Sequence, residues 1–275
     1  MAMGTDAVTT LRSIPEPIEA LACERERLWA LLADKPTDIW ELQTPFKGWS
    51  VQEIIRHLLF WDEMVDLAIS QPVVFTNRLA TLMPQIEAGN LLTVERRHIE
   101  AAGPRLLERW HRHSVSSGKR WRATDPKARV SWVGPSMSFK TAVSARYMEA
   151  WAHGLSVWDA IKGSEKRIET DDIAHIVHMG IATCSWSFTC HGLTAPTQVP
   201  SVRLTLPSQA SLTYEKSGTE SIIGSAQSFC QVVTQTRHWR DTDLTVSGAT
   251  AVTWMEHAQC FAGRGEAPPA PGQRA

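Results

Sequence analysis

Apolar residues recur at helical spacing through the first two thirds of the chain. The first such segment begins at Pro17, where proline suits a helix start, and ends at Lys35-Pro36. A second follows Ser50, which with Glu53 three residues later matches a capping box, and its apolar stripe runs to about Ser70. The same spacing predicts further helices over residues 76–100, 104–121, 138–161 and 171–192.

The period of the pattern changes at Ala195-Pro196. Val202, Leu204 and Leu206 alternate with polar residues, which is the period of a strand. The remainder predicts short strands near 212–214, 222–223 and 244–246, helices over 226–234 and 250–261, and a tail rich in Gly, Pro and Ala. The fold class is therefore predicted as α+β. We expect a helical domain over 15–194, a small α+β domain over 195–262 and a disordered tail over 263–275.

Composition and charge exclude several classes of protein. The 275 residues contain 28 Lys+Arg and 29 Asp+Glu, so the balance argues against binding to nucleic acid or to an anionic membrane. Five cysteines form no Cys-x-x-Cys pair, and no apolar run approaches the roughly 18 residues of a membrane span. The first residues lack the apolar core of a signal peptide. We expect a cytoplasmic monomer or homodimer that acts on a small molecule.

The strongest chemical signal lies on the long helix predicted over 138–161. Glu149 and His153 are four residues apart, so both side chains leave one face of the helix, one turn apart. This spacing suits two ligands of one divalent metal, although a solvated ion pair uses the same spacing. The neighbours are mostly apolar, and a buried carboxylate and imidazole need a partner that satisfies both.

A third candidate, His57, lies in a more apolar setting on the helix after Ser50. Three interpretations are open from the residues alone. His57 is a metal ligand, a core histidine bonded to a backbone carbonyl, or a partner of Glu53 one turn earlier. Glu53 is, however, already explained as the acid of the capping box.

Other histidines form competing clusters, and several common motifs are missing. His175 and His178 share a helix, whereas His111 and His113 lie at a basic helix end. The sequence contains no Gly-x-x-x-x-Gly-Lys loop, no Gly-x-Gly-x-x-Gly turn and no nucleophile elbow. A nucleotide cofactor and serine-hydrolase chemistry are therefore not indicated.

Three segments together resemble a known family. Thr44-Pro45-x-x-Gly48-Trp49-Ser50-Val51, followed by His57-Leu58 and Asp62, resembles the opening of the DinB-like four-helix-bundle proteins, in particular the mycothiol-dependent maleylpyruvate isomerase group. Ala145-Arg146-x-Met148-Glu149-x-Trp151-Ala152-His153-Gly154 is similar to the second metal segment of that group. Gly224-Ser225-Ala226 and Thr234-Gln235-x-Arg237-His238 are similar to its sterol-carrier-like appended domain.

The resemblance implies an N-terminal DinB-like four-helix bundle with a metal centre, followed by the small α+β domain. It makes His57, Glu149 and His153 the metal triad, with no catalytic residue beyond these ligands. The implied cofactors are a divalent metal, with zinc the first expectation and nickel, iron or manganese as alternatives, and mycothiol or a similar thiol. A metal-bound thiol is held as the thiolate, which attacks electrophiles. The implied activity is that of a thiol S-transferase or an isomerase, in a natural-product or detoxification pathway.

Five residues are candidates for substrate binding. Trp61 and Trp151 lie near the metal ligands in sequence and can wall an aromatic pocket. Arg146, Arg237 and His238 are candidate anchors for an anionic group, although Arg237-His238 also suits a helix C-terminus. Two alternative functions stay open at this point, a thiol-independent metal enzyme and a non-catalytic carrier of an apolar ligand.

Overall fold

A computed structural model describes residues 16–161 and 167–274 of the chain. These residues form two compact units, a bundle unit over 16–161 and a C-terminal unit over 167–274. Within the described ranges, every helix is too short or too polar to cross a membrane.

Four long helices build the bundle unit. Helix α1 packs on α5 and α6, α2 packs on the same two helices, and the helices α3 and α4 pack on the outer side of this arrangement against α2. A two-stranded hairpin of β1 and β2 connects α5 to α6. The bounds are α1 Pro17–Leu32, α2 Val51–Ser70, α3 Pro72–Glu87, α4 Leu91–His98, α5 Gly103–Arg122, β1 Arg129–Trp132, β2 Gly134–Ser138 and α6 Phe139–Ala160. The predicted four-helix bundle is thereby confirmed.

The buried faces of these helices explain why they pack. The apolar stripe predicted for α2 is buried, and fully buried tryptophans fill the space between helices, among them Trp110, Trp121 and Trp151. Each such side chain contributes about 1.5–3 kcal/mol through the surface that it removes from water. Four of the bundle's nine tryptophans, namely Trp40, Trp110, Trp121 and Trp151, are therefore core residues, and the other five are half-buried.

The C-terminal unit combines a mixed sheet with short helices. The strands are ordered β4-β3-β5-β6, with β3 parallel to β5 and the other neighbours antiparallel. Helix α9 packs on β3 and β5, and α7 packs on α9. The bounds are α7 Ala174–Ala182, α8 Cys184–Thr189, β3 Ser201–Thr205, β4 Ser211–Tyr214, β5 Ser221–Ser225, α9 Ala226–Val233, β6 Thr245–Ser247 and α10 Ala249–His257.

Three features of the C-terminal half differ from those expected from the sequence. The units separate before residue 167 rather than at 195, because α7 packs on α9 and α8 packs on α10, so both helices belong to the C-terminal unit. The helix predicted over 171–192 is divided at Thr183 into α7 and α8. In place of a disordered tail, residues 263–274 are irregular but hydrogen-bonded, with the Glu266 amide donating to the Gln259 side chain and the Gly272 amide to Asp241. The final residue, 275, lies outside the described residues.

Candidate metal centre

Helices α2 and α6 bring three predicted ligands together inside the bundle. Nε2 of His153 lies 3.2 Å from Oε2 of Glu149, and Nε2 of His57 lies 3.8 Å from the same oxygen. One donor atom from each of the three residues lies within 4.8 Å of the others. The two histidine side chains are 7% and 11% exposed, whereas that of Glu149 is 24% exposed, so the carboxylate marks the accessible side of the cluster.

The local sequence fixes where α2 begins and thus where His57 points. The Ser50 side chain accepts a hydrogen bond from the Glu53 amide, and the Glu53 carboxylate accepts one from the Ser50 amide at 2.9 Å. This is the predicted capping box, and it commits Glu53 to the helix end instead of to His57.

The turn before α2 places two aromatic rings against the histidines. Lys47 and Gly48 have φ angles of 52° and 69°, a left-handed conformation that glycine adopts without strain. The Thr44 amide donates to the Trp49 carbonyl at 2.8 Å and closes the turn. Phe46 meets His153 edge-on, with ring centroids 4.6 Å apart, and Trp49 lies 5.4 Å from His57 and 6.1 Å from His153. The turn therefore forms an apolar wall beside the cluster.

One residue in contact with the predicted ligands was not foreseen from the sequence. Oε1 of Glu95, on α4, lies 2.7 Å from Nδ1 of His57, and Glu95 is fully buried. In the sequence, Glu95 precedes Arg96-Arg97 and is typical of a solvated helix face. Two signals in the sequence could have pointed to Glu95. It follows the apolar residue Val94, and His57 lies among apolar residues where its imidazole needs a polar partner. The four residues His57, Glu95, Glu149 and His153 are called the metal-site cluster below.

The carboxylates of the metal-site cluster shift the titration of both histidines. Burial by itself lowers the pKa of His57, but the negative charges and hydrogen bonds of Glu95 and Glu149 outweigh burial and raise it to about 9. Burial lowers the pKa of His153, and its hydrogen bond with Glu149 only partly opposes this. The pKa of Glu149 falls well below its usual value because its contacts with both histidines exceed the cost of burial. The cluster thus holds a charged carboxylate beside one imidazole that is readily neutral.

A second buried cluster, called the arginine cluster, shares helices α2 and α6 with the first and includes Arg25 from α1. Asp62 on α2 accepts a hydrogen bond from Nε of Arg146 at 2.8 Å and pairs with Nη2 of Arg25 at 2.6 Å. Arg146 also donates to the Leu58 carbonyl, and its side chain is 4% exposed. The expected role of Arg146 as a substrate anchor does not fit this placement, because its guanidinium is enclosed and bound to groups of the protein.

The other four predicted substrate-binding residues occupy different environments. Trp61 is half-buried, and its ring lies 6.3 Å from that of His57 and 5.6 Å from that of Trp132. Trp151 is fully buried in the core of the bundle, and its place in the wall of an aromatic pocket stays a prediction. Arg237 and His238 belong to the C-terminal unit, where Arg237 donates to the Thr236 carbonyl and His238 accepts from the Arg240 amide. The expected role of Arg237 and His238 as anchors for an anionic group of the substrate stays a prediction.

The donor set fits a divalent metal ion. Two ligand atoms of a tetrahedral zinc ion, at 2.0–2.1 Å from the metal, lie about 3.3 Å apart. The separations of 3.2 and 3.8 Å around Glu149 are close to that value. Two imidazoles and one carboxylate also leave positions open for further ligands, as in catalytic sites. His57 carries in addition the carboxylate partner on its far nitrogen that metal-binding histidines usually have.

Comparison with known proteins decides the family. Residues 21–157 match the family model described as the mycothiol maleylpyruvate isomerase N-terminal domain. Two uncharacterized proteins, from two strains of Mycobacterium tuberculosis, are each 32% identical over 251 residues, covering 90% of this chain and 96% of the relative. The chain belongs to the mycothiol maleylpyruvate isomerase-like family.

The family's fold extends over both units. A crystal structure of the mycothiol-dependent maleylpyruvate isomerase aligns with a TM-score of 0.52 at 15% identity, covering 87% of this chain and 96% of that one. A crystal structure of a mutant of the mycothiol-dependent maleylpyruvate isomerase gives 0.53 at 14% identity with the same coverage. At these identities the likeness establishes the architecture, namely a helical domain followed by an α+β domain. The metal-site cluster lies within the matched N-terminal domain.

Proposed function

We propose that this protein is a metal-dependent enzyme that activates a low-molecular-weight thiol, mycothiol or a similar compound, for transfer or addition to an electrophilic small molecule. The observation that carries the proposal is the convergence of His57, Glu149 and His153 within 4.8 Å in the bundle. Membership of a family whose domain is named for a mycothiol-dependent isomerase supports the thiol as cosubstrate. A divalent ion held there would supply Lewis acidity, which lowers the pKa of a coordinated thiol.

The protein's own residues have separate tasks in this proposal. Glu149 supplies the charged ligand and lies at the accessible side of the cluster. Phe46 and Trp49 exclude water from the side of the histidines that they cover. The half-buried ring of Trp61 offers apolar surface to the electrophile, at 6.3 Å from the His57 ring.

Metal stoichiometry provides the first experiment. The purified protein is dialysed against zinc, nickel, manganese and, without oxygen, ferrous iron, and bound metal is then measured by mass spectrometry. We expect about one ion per chain, as for a single site with three protein ligands, and loss of that ion in His57→Ala and His153→Ala. His111→Ala is the matched control, because His111 lies on α5 and pairs with Glu26 outside the cluster. Absence of stoichiometric metal in the wild type would refute the proposal.

Dependence on thiol provides the second experiment. The metal-loaded protein is incubated with a panel of electrophiles that includes maleylpyruvate, with and without mycothiol. The proposal expects turnover only when the thiol is present. Turnover that is indifferent to thiol would identify the thiol-independent metal enzyme instead. Tight binding of an apolar ligand that survives His57→Ala, with no turnover, would identify a carrier.

A further inference from the structure

The carboxylate of Glu95 is buried, and His57 is its hydrogen-bond partner among the described residues. Its residue exposure is 0%, and its Oε1 atom lies 2.7 Å from Nδ1 of His57. Its Oε2 atom is also buried and has no hydrogen-bond partner among residues 16–161 and 167–274. The carboxylate does not cap a helix, and the nearby Arg56 donates instead to the Ile99 and Ala101 carbonyls. The described contacts of Glu95 thus point to His57.

Burial of such a carboxylate needs a compensating positive charge. Removing one ion from water costs several kcal/mol even after the protein relaxes. A hydrogen bond from a neutral imidazole returns about 1.5–3 kcal/mol when the acceptor is charged. An imidazole that itself carries positive charge, from a proton or from a metal ion on Nε2, compensates much better. The position of Glu95 is therefore explained by a cation on the opposite edge of the His57 ring.

We propose that Glu95 is the positioning residue of the metal centre, which holds His57 with Nδ1–H toward α4 and Nε2 toward Glu149. This inference rests on the proposed function, because it assigns Glu95 a task at the same site. A ring fixed by its far nitrogen loses little freedom when Nε2 binds a metal, and the carboxylate makes that nitrogen a stronger donor.

The two histidine ligands are unequal in this respect. Nδ1 of His153 is buried and has no hydrogen-bond partner within the described ranges, whereas Nδ1 of His57 has a carboxylate. The charges also match, because Glu95 and Glu149 together offset the two positive charges of a divalent ion, with both imidazoles neutral. Loss of the Glu95 charge should therefore weaken the hold on the ion through His57 and leave His153 unaffected.

The test compares Glu95→Gln, which keeps size and removes charge, with Glu63→Gln. Glu63 is on α2 and pairs with Arg109 at the surface of the bundle, so this control removes a carboxylate outside the cluster. Zinc affinity is measured by competition with a chromophoric chelator, and cobalt-substituted protein is examined by visible absorption. We expect Glu95→Gln to bind zinc about 10–100-fold more weakly, the usual cost of losing such a partner, and to shift the cobalt bands. Glu63→Gln should match the wild type in both.

The outcomes separate the two proposals. Equal affinity and an unchanged cobalt spectrum in Glu95→Gln would overturn the role of Glu95 and leave the proposed function standing. Absence of metal from the wild type would overturn both. A measurement on the wild type alone covers the case in which Glu95→Gln fails to fold. In the zinc-loaded protein, nitrogen-15 spectra of the histidines should show His57 protonated on Nδ1 and metal-bound through Nε2, and the opposite arrangement would overturn the inference.

Discussion

The bundle contains two buried charged clusters that share helices α2 and α6, and they differ in how their charges are compensated. In the arginine cluster, Asp62 lies between two guanidinium groups, so positive charge is in excess and the contacts are internal. In the metal-site cluster, two carboxylates meet two imidazoles, so negative charge is in excess, and ligand atoms of His57, Glu149 and His153 converge within 4.8 Å. Burial and charge are common to both clusters. The difference is that only the second presents convergent ligand atoms, and this distinguishes a site from a structural network.

The largest expected effect comes from opening the arginine cluster. Asp62→Ala leaves two buried guanidinium groups without their carboxylate, which costs about 3–5 kcal/mol for a broken buried pair. The midpoint of urea unfolding should fall accordingly. Glu63→Ala, one residue along the same helix in a surface pair, should change the free energy of unfolding by less than about 1 kcal/mol. Equal losses in both variants would contradict the structural role assigned to Asp62.

The second effect sharpens the contrast by adding a divalent metal ion to the protein. Zinc at a hundredfold excess over its dissociation constant should stabilise the wild type by about 2.7 kcal/mol. His153→Ala should gain nothing from zinc, because one of three ligands is gone, whereas Asp62→Ala should still gain if it folds. Thermal unfolding with and without zinc measures both. Stabilisation of His153→Ala to the same extent as the wild type would place the ion elsewhere.

Metal binding should release a proton at any pH below the pKa of His57, which is about 9 in the metal-free protein. Near pH 7.5 the ion displaces the proton from His57, so binding should release about one proton and tighten about tenfold per pH unit up to that pKa. In the metal-free protein, stability depends on pH in the opposite direction. The proton on His57 stabilises the fold fully below its ordinary pKa of 6.5, and this stabilisation is lost as the pH rises through about 9. Calorimetry in buffers of different ionisation enthalpy measures the first effect, and unfolding of the wild type against His57→Gln the second.

The smallest effect tests the turn that carries the aromatic wall. An added Cβ at Gly48 or at Gly89 meets no atom within 4 Å, but both residues have left-handed φ angles of 69° and 84°. Alanine at either position should therefore cost about 1 kcal/mol of stability through backbone strain. Only Gly48→Ala should also weaken zinc binding by a few fold, because Trp49 and Phe46 contact the histidines. Equal zinc affinity in the two variants would show that the turn at Gly48 does not contribute to metal binding.

Much of the fold could be predicted from the sequence because it depends on residues that are close to one another along the chain. The capping box at Ser50 and Glu53, the apolar stripe of α2 and the one-turn spacing of Glu149 and His153 all lie within a few residues of one another. The change to a strand period at Val202 likewise marked the sheet of the C-terminal unit.

What the sequence did not reveal depends on distant partners. Glu95 contacts His57 across 38 residues, and Arg146 contacts Asp62 across 84 residues. Neither pair can therefore be recognised from the periodic spacing of residues along one helix. Arg146 was expected to bind substrate for this reason, and Glu95 was overlooked. The position of α7 in the C-terminal unit was also hidden, because an apolar helix face does not say which neighbour will cover it.

The location of Glu95 on α4 has a consequence for how the site can change. Helix α4 has eight residues and lies outside the four helices that carry the bundle. Under the role proposed for Glu95, a substitution at this one position changes how firmly the ion is held and leaves the four bundle helices unchanged. On this proposal, the residues that build the metal site and the residue that tunes it lie on different segments of the chain, so metal affinity can change while the bundle helices keep their sequence.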